Sequence, residues 1–371
     1  QAYDTALRTI AQAIPLDVID DPDHQSLIPD GRHPAAGVTA LANTSLPLAA
    51  QIARHHGING PSEQAAHATA HWPTARQHLL TAGLGPASFA YIESHQHAVA
   101  AADSVGYPLL LRPAANLGYR GQVCAHDPES LRTAWASATD VAREAPSDTT
   151  GIVIEPYHPG PRLTVHTITT SGHTTPVAVT RTTLTAFPHL VPLRHTADSE
   201  PAEPALGALA ADAMAAIGTT DGIGHVDFAL TPAGPTIVDI GATAPDAGLA
   251  ELVRLATGID LLLAAVTIAA GHQPDLTATH TLSAVQELVH AATPGTLDGQ
   301  HLDPALPTTD WFAACSWEQP LGADVAPPPA PTSLVARWTI TGPTPQACRA
   351  RARLAQQGLT VTVTPNTPTS R

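Results

Sequence analysis

The sequence predicts a mixed α/β and α+β protein, with a small parallel α/β domain at the N-terminus followed by α+β units. Three observations predict it. Helix-like and strand-like runs alternate over residues 1–70, which is the pattern of a parallel α/β unit. Later apolar runs come in pairs around Pro/Gly turns such as Pro232-Ala233-Gly234-Pro235, the pattern of antiparallel hairpins. The chain has 371 residues, 43% of them hydrophobic, enough for two or three domains with at least one sizeable core.

In chain order, residues 4–13 read as a helix, 16–19 as a short strand ending in the acidic turn 20–23, and Val38 to Leu41 as a second strand. A sheet this small expects a further strand before Gln1. Ser45 starts a helix that runs through His56 and stops at Gly57. Thr74 to Ala82 and Glu93 to Val105 are helical and end at Gly83 and Gly106. The strand Tyr107 to Leu111, a loop from Arg112 to Gly121 and the strand Gln122 to Ala125 come next. A helix started by Asp127 and Pro128 then runs to Glu144. Ile152 to Glu155 and Leu163 to Thr169 are strands, and Glu203 to Ile217 is an amphipathic helix. Gly224 to Asp239 is a hairpin, Leu249 to Gly271 supplies helices, and the Pro-rich stretch Ala326 to Pro331 is a loop in a final α+β segment.

All 17 basic residues are arginines, and the chain contains no lysine. Only 13% of residues are charged and the net charge is −15. That balance argues against nucleic acid, whose phosphates need clustered cations. The longest apolar run, Leu261 to Ala270, is too short to cross a membrane. Three scattered cysteines fit free thiols in a reducing compartment. No signal-peptide pattern is read, so the cytoplasm is the expected location.

The hairpin carries the sharpest chemistry. With its turn centred near Ala233, Asp227 lies opposite Asp239 and Phe228 opposite Val238. One face then holds Val226, Phe228, Leu230, Val238 and Ile240, and the other His225, Asp227 and Asp239. Opposed β-carbons lie about 4.5–5.5 Å apart. Two carboxylates that close repel each other unless a cation or a shared proton intervenes. A hard divalent ion such as Mg²⁺ resolves the repulsion; the alternative is that each Asp bonds backbone amides.

Upstream, YPLLLRPAANLGYRGQV places Arg112 at the end of a buried strand, before a small-residue loop with Gly118 and Gly121. Such a loop lets backbone amides approach a phosphate, and Arg112 and Arg120 add charge. Ile152 to Tyr157 is an apolar strand ending in an acidic hinge at Glu155, with Tyr157 and His158 beside it. A planar base could slot between this hinge and the preceding sheet.

The ordered set GYPLLLRPAANLGYRG, IVIEPYHPGPRLTVHTI, HVDFALTPAGPTIVDIGATAPDAGL and ATGIDL resembles the ATP-grasp superfamily. Within it, the chain resembles the carboxylate–amine ligases that join amino acids in bacterial specialised metabolism. The resemblance covers roughly residues 35–345. It implies four regions: an N-terminal domain over 1–70, a first ATP-grasp subdomain with the glycine loop over 71–160, a second with the metal hairpin over 161–278, and a lid-like α+β segment over 279–371. It also implies ATP and Mg²⁺ as cofactors, amide or peptide bond formation from a carboxylate and an amine through an acyl phosphate, and amino-acid or peptide substrates. A homodimer is the default assembly.

By the same resemblance, Asp227 and Asp239 hold the metal. Arg112, Gly118, Gly121, Glu155, Tyr157 and His158 contact the nucleotide. Arg112, Arg120, Arg181 and Arg194 supply catalytic charge, the last two flanking a loop (Phe187-Pro188-His189) near the substrate. The chain departs from the pattern at four places. A family lysine falls near Trp72, and the ribose acid is Arg162. The Asn and Arg that follow the second metal acid are Gly241 and Thr243. Those departures motivate an alternative: a degenerate member that no longer uses ATP and binds a metabolite or runs an ATP-independent reaction.

Overall fold

A computed structural model describes residues 35–365 except 86–87, 146–148 and 187. The helix expected at 4–13, the strand at 16–19 and the turn at 20–23 lie outside the described residues, as does Phe187. Helix α1 (Leu46–His56) has Arg54, His55 and His56 in its last turn and closes on Gly57 in the left-handed conformation (φ 64°). Ser45 precedes it but makes no side-chain capping bond. The strand expected at Val38–Leu41 does not form; a single parallel bridge joins Gly37 to Asn59. Gly37 lies so close to the neighbouring backbone that a β-carbon would meet the Ala269 carbonyl oxygen at 1.9 Å, and the stretch rests on this one contact rather than on a ladder.

Two helices follow, α2 (Glu63–Ala70), capped by Ser62, and α3 (Trp72–Thr81). They lead into an antiparallel sheet of order β1-β4-β2-β3, formed by β1 (Ala90–Ile92), β2 (Leu109–Pro113), β3 (Val123–Ala125) and β4 (Ile152–Pro156). Helices α4 (His95–Val105) and α5 (Pro128–Ala142) cover one side of it, packing Ala98, Ala102, Leu131 and Ala138 on Leu109, Leu111, Ile152 and Ile154. Asp127 and Ser130 form a reciprocal capping box at the start of α5. Strand β2 begins two residues later than expected and runs through Arg112, so Arg112 is fixed in the sheet rather than in the loop.

The large sheet has order β12-β14-β10-β7-β6-β5-β8-β9 and is antiparallel throughout. Its strands are β5 (Arg162–Thr170), β6 (His173–Leu184), β7 (Pro192–Asp198), β8 (Gly222–Thr231), β9 (Gly234–Gly241), β10 (Ser283–His290), β12 (Phe312–Trp317) and β14 (Leu334–Gly342). Three strands of the 279–371 segment are therefore hydrogen-bonded into this sheet. A smaller sheet of order β13-β11-β15 is built from β11 (Gly295–Leu302), β13 (Asp324–Val325) and β15 (Leu359–Pro365).

Register divides the large sheet into two faces. Thr164 pairs with Asp227 on one side and Thr180 on the other, and Thr182 pairs with His195, which sets one face. Leu163 pairs with Phe228 and Arg181, which sets the opposite face. On the latter, Leu163, Val165, Val179, Val226 and Phe228 form the main core with α2, α3 and α6 (Pro204–Ala216). On the former, α7 (Ala247–Thr257) packs Leu249, Leu252 and Ala256 on Ala197 and Ala284, and α8 (Leu261–Ala269) follows it. Among the described residues no single helix is long and apolar enough to cross a membrane.

Candidate active site

The β8–β9 hairpin opposes Asp227 to Asp239, as the turn position predicts. Beyond that pair the register slips: Phe228 faces Ile237, not Val238. This bulge corrects the expected core face. Ile237 is buried in Val238's stead, and Leu230 is 37% exposed. A bulge frees main-chain groups from the ladder, and here two arginines use them. Arg76 donates to the Ile237 carbonyl at 2.8 Å and Arg112 to the Val238 carbonyl at 3.1 Å.

Asp239 is surrounded by donors. Arg112 Nη2 lies 3.1 Å from Oδ2, Asn116 Nδ2 is 3.3 Å from Oδ1, and the Ile240 amide is 2.8 Å from Oδ1. Asp227 is different. Its Oδ1 is buried without a hydrogen-bond partner among the described residues. Burial, reinforced by the Asp239 charge and opposed by His225, Thr164 and Arg162, pushes its pKa up to about 6. Tyr119, from the glycine loop, brings its hydroxyl to the same two acids. Enclosure, then the charges of Asp227 and Asp239, hold it well above the ordinary phenol range, against the pull of Arg162 and Arg112.

The position where the resemblance expects a lysine has a structural answer. Trp72 is fully buried, and the guanidinium carbons of Arg112 and Arg76 lie 4.0 and 4.4 Å from its ring centroid. Arg76, one helical turn after Trp72 on α3, donates to Glu155 at 2.7 Å, with both side chains at most 2% exposed. The hinge acid is thus closed by the chain's own arginine. Nearby, burial and then the Arg76 charge lower the His158 pKa. Tyr157 carries Arg162 5.6 Å from its ring, and one terminal nitrogen of Arg162, Nη1, is buried without a hydrogen bond among the described residues.

The glycine loop is held by Asn116, whose Oδ1 accepts from the Gly118 amide at 3.2 Å, and by Gln122, which donates to the Gly118 carbonyl at 2.8 Å. Gly118 and Gly121 both have positive φ, 64° and 74°, which only glycine adopts cheaply. Arg120 pairs with Glu144 on the surface, both about half exposed. At Gly241, a β-carbon would meet His225 Cε1 at 2.6 Å, so an imidazole fills the space of the missing Asn side chain. Among the described residues no three His, Cys, Asp or Glu side chains converge as a ready metal cage.

Arg181 and Arg194 do not join this constellation. Arg181 pairs in register with Leu163, and Arg194 with Thr183 and Glu287, so both stand on the face opposite Asp227. Beside Tyr119 the cleft opens into a cavity of ≈460 Å³, lined by Val141, Leu249 and Leu288 with His195, Asp246 and Arg337. Arg337 donates to Glu318 at 3.3 Å and lies 3.5 Å from Asp246. His195 bonds Thr182 at 2.9 Å, and burial lowers its pKa to about 4. Sequence reasoning missed Arg76, Asn116 and Tyr119. The four-residue helical spacing from Trp72 to Arg76 was the available signal for the first; no sequence signal marked the others.

Residues 80–277, more than half of the chain, match the family described as the carbamoyl-phosphate synthase L chain, ATP binding domain. An uncharacterized protein of Sinorhizobium fredii, y4rH, is 24% identical over 274 residues, covering 71% of this chain and 55% of that protein. The chain spans about half the length, or less, of the curated relatives it matches. Among solved structures, the L-amino acid ligase from Bacillus licheniformis superposes with a TM-score of 0.76 at 17% identity, covering 89% of this chain and 82% of that one. The biotin carboxylase domain of Hydrogenobacter thermophilus 2-oxoglutarate carboxylase, solved with MgADP, gives 0.66 at 17% identity, covering 86% and 73%. Identities this low report shared fold, and that fold agrees with the family match. The chain belongs to the ATP-grasp family and has the fold of its carboxylate–amine ligases.

Proposed function

We propose that the chain is an ATP-grasp ligase that joins a carboxylate to an amine, with Mg²⁺ held between Asp227 and Asp239. The observation that carries this reading is the opposed acid pair, in which one buried oxygen of Asp227 has no partner among the described residues while Asp239 is fully engaged. An orphaned buried carboxylate oxygen facing a second carboxylate fits a hard divalent cation. The hinge fits an adenine less well, because Glu155 spends its carboxylate on Arg76.

Bound Mg·ATP would supply the phosphoryl group that activates the carboxylate. The chain's own groups do the rest. Arg112, locked by Asp239, Val238 and Trp72, presents a fixed cation at the cleft, and fixed charge is what phosphoryl transfer needs. The small-residue loop around Gly118 and Gly121 brings amides close, and Tyr119 screens the acids from water. The apolar cavity beside it, with Arg337 and Asp246 at its wall, suits the opposite charges and apolar side chain of an amino acid.

The test is an ADP-release assay across a panel of amino acids, comparing the native chain with Asp239→Asn. Release that depends on an amino acid and falls about a hundredfold in the variant supports the reading. A second reading, an ATP-independent role for the cleft, is favoured by the buried Arg76–Glu155 pair and by Gly241 and Thr243 at the family's Asn and Arg positions. ADP release absent for every amino acid from a folded sample selects it.

A further inference from the structure

On the face of the large sheet opposite Asp227, a groove of ≈910 Å³ runs between strands β6, β7 and β10 and helix α9 (Pro345–Gln357). Four of the chain's 17 arginines converge on it, Arg181, Arg194, Arg349 and Arg353, while Arg162 at its edge belongs by register to the Asp227 face. In a protein of net charge −15 without a lysine, that concentration is a local reversal of sign. Codon bias sets how many arginines a chain has, but not that they converge.

The two walls are built differently. On the sheet, Arg181 is held by Asp198 at 2.8 Å and Arg194 by Glu287 at 2.5 Å. Each acid fixes one edge of a guanidinium that stays 44–51% exposed, a positioned fork with free donors. On the helix, Arg349 and Arg353 are four residues apart, exposed, and without an ion pair among the described residues. Unpaired like charges at that spacing destabilise a helix slightly, which an anion between the walls would reverse. Tyr157, Leu184 and Val285 add apolar and aromatic lining.

We infer that this groove is a binding site for a small organic phosphate, separate from the acid-pair cleft. Guanidinium forks match phosphate oxygens in pairs. The overall negative charge selects the size of the ligand. An acidic protein or nucleic acid would meet the repulsion of the whole surface, whereas a small anion within a Debye length of about 8 Å feels mainly the local arginines.

Calorimetric titration of inorganic tripolyphosphate into the full chain, without Mg²⁺, tests the assignment. Saturable binding is expected in the native chain and in Asp239→Asn, weakened about tenfold or more in Arg349→Gln/Arg353→Gln. Both replaced residues are exposed on α9, so circular dichroism of the double variant is expected to be native. Binding that is unchanged in the double variant, or strengthened in Asp239→Asn by removal of a repelling carboxylate, would place the anion in the cleft and overturn the inference. No binding at millimolar probe would overturn it as well. The ADP-release assay reads the cleft alone, so either proposal can fail without the other.

Discussion

At the scale of single residues, the site is organised by arginines that answer the chain's acids. Arg76 and Glu155 are both buried to within 2%, and removing one member of such a pair leaves an uncompensated buried charge. Arg76→Met is expected to lower stability by about 3–5 kcal/mol, measured by urea unfolding. Arg76→Met with Glu155→Met is expected to recover most of that loss, since a pair replaced by apolar residues leaves no charge behind. A double variant as unstable as the single one would show that packing on Trp72, not charge, is what Arg76 supplies. The sequence placed Trp72 at a lysine position but did not reveal that the charge had moved one turn along the helix. That compensation exists only in the folded arrangement, where Trp72, Arg76, Arg112 and Glu155 arrive from three elements.

At the scale of elements, the hairpin and the glycine loop carry the site. Asp227 opposite Asp239 was legible because a turn fixes the pairing of everything symmetric about it. The bulge at Val238 was not legible, since it follows from which carbonyls Arg76 and Arg112 claim. The helix stops at Gly57 and Gly106 were legible because glycine alone takes positive φ without strain. In the loop, Gly121→Ala would combine φ of 74° with a β-carbon 2.8 Å from Pro113. A destabilisation of about 1 kcal/mol or more is expected, together with weaker nucleotide binding; an unchanged unfolding midpoint would contradict it.

At the scale of the whole molecule, one antiparallel sheet gathers strands from residue 162 to residue 342 and turns one face to the cleft and the other to the core and the arginine groove. The resemblance implies a division at residue 279, and the strand pairing that runs across that position leaves no mark in sequence. Burial also sets how stability depends on pH. It lowers the pKa of His166 to about 3 and that of His195 to about 4. Both stay neutral in the fold while the unfolded chain takes up protons below about pH 6.5, so their contribution is present above that pH and is lost as the pH falls toward the folded values. Each is expected to cost about 2 kcal/mol between pH 7 and pH 5, and His166→Gln to flatten the urea-unfolding profile by that amount. Asp227, raised to about 6, acts with the opposite sign and offsets part of this loss as the pH falls. The central claim, that the acid pair is a nucleotide–metal site, is met most directly by calorimetric titration of Mg·ATP into the full chain and its Asp239→Ala variant. Saturable binding in the native chain that disappears in the variant is the predicted result; a folded native chain that binds no Mg·ATP at millimolar concentration would contradict it.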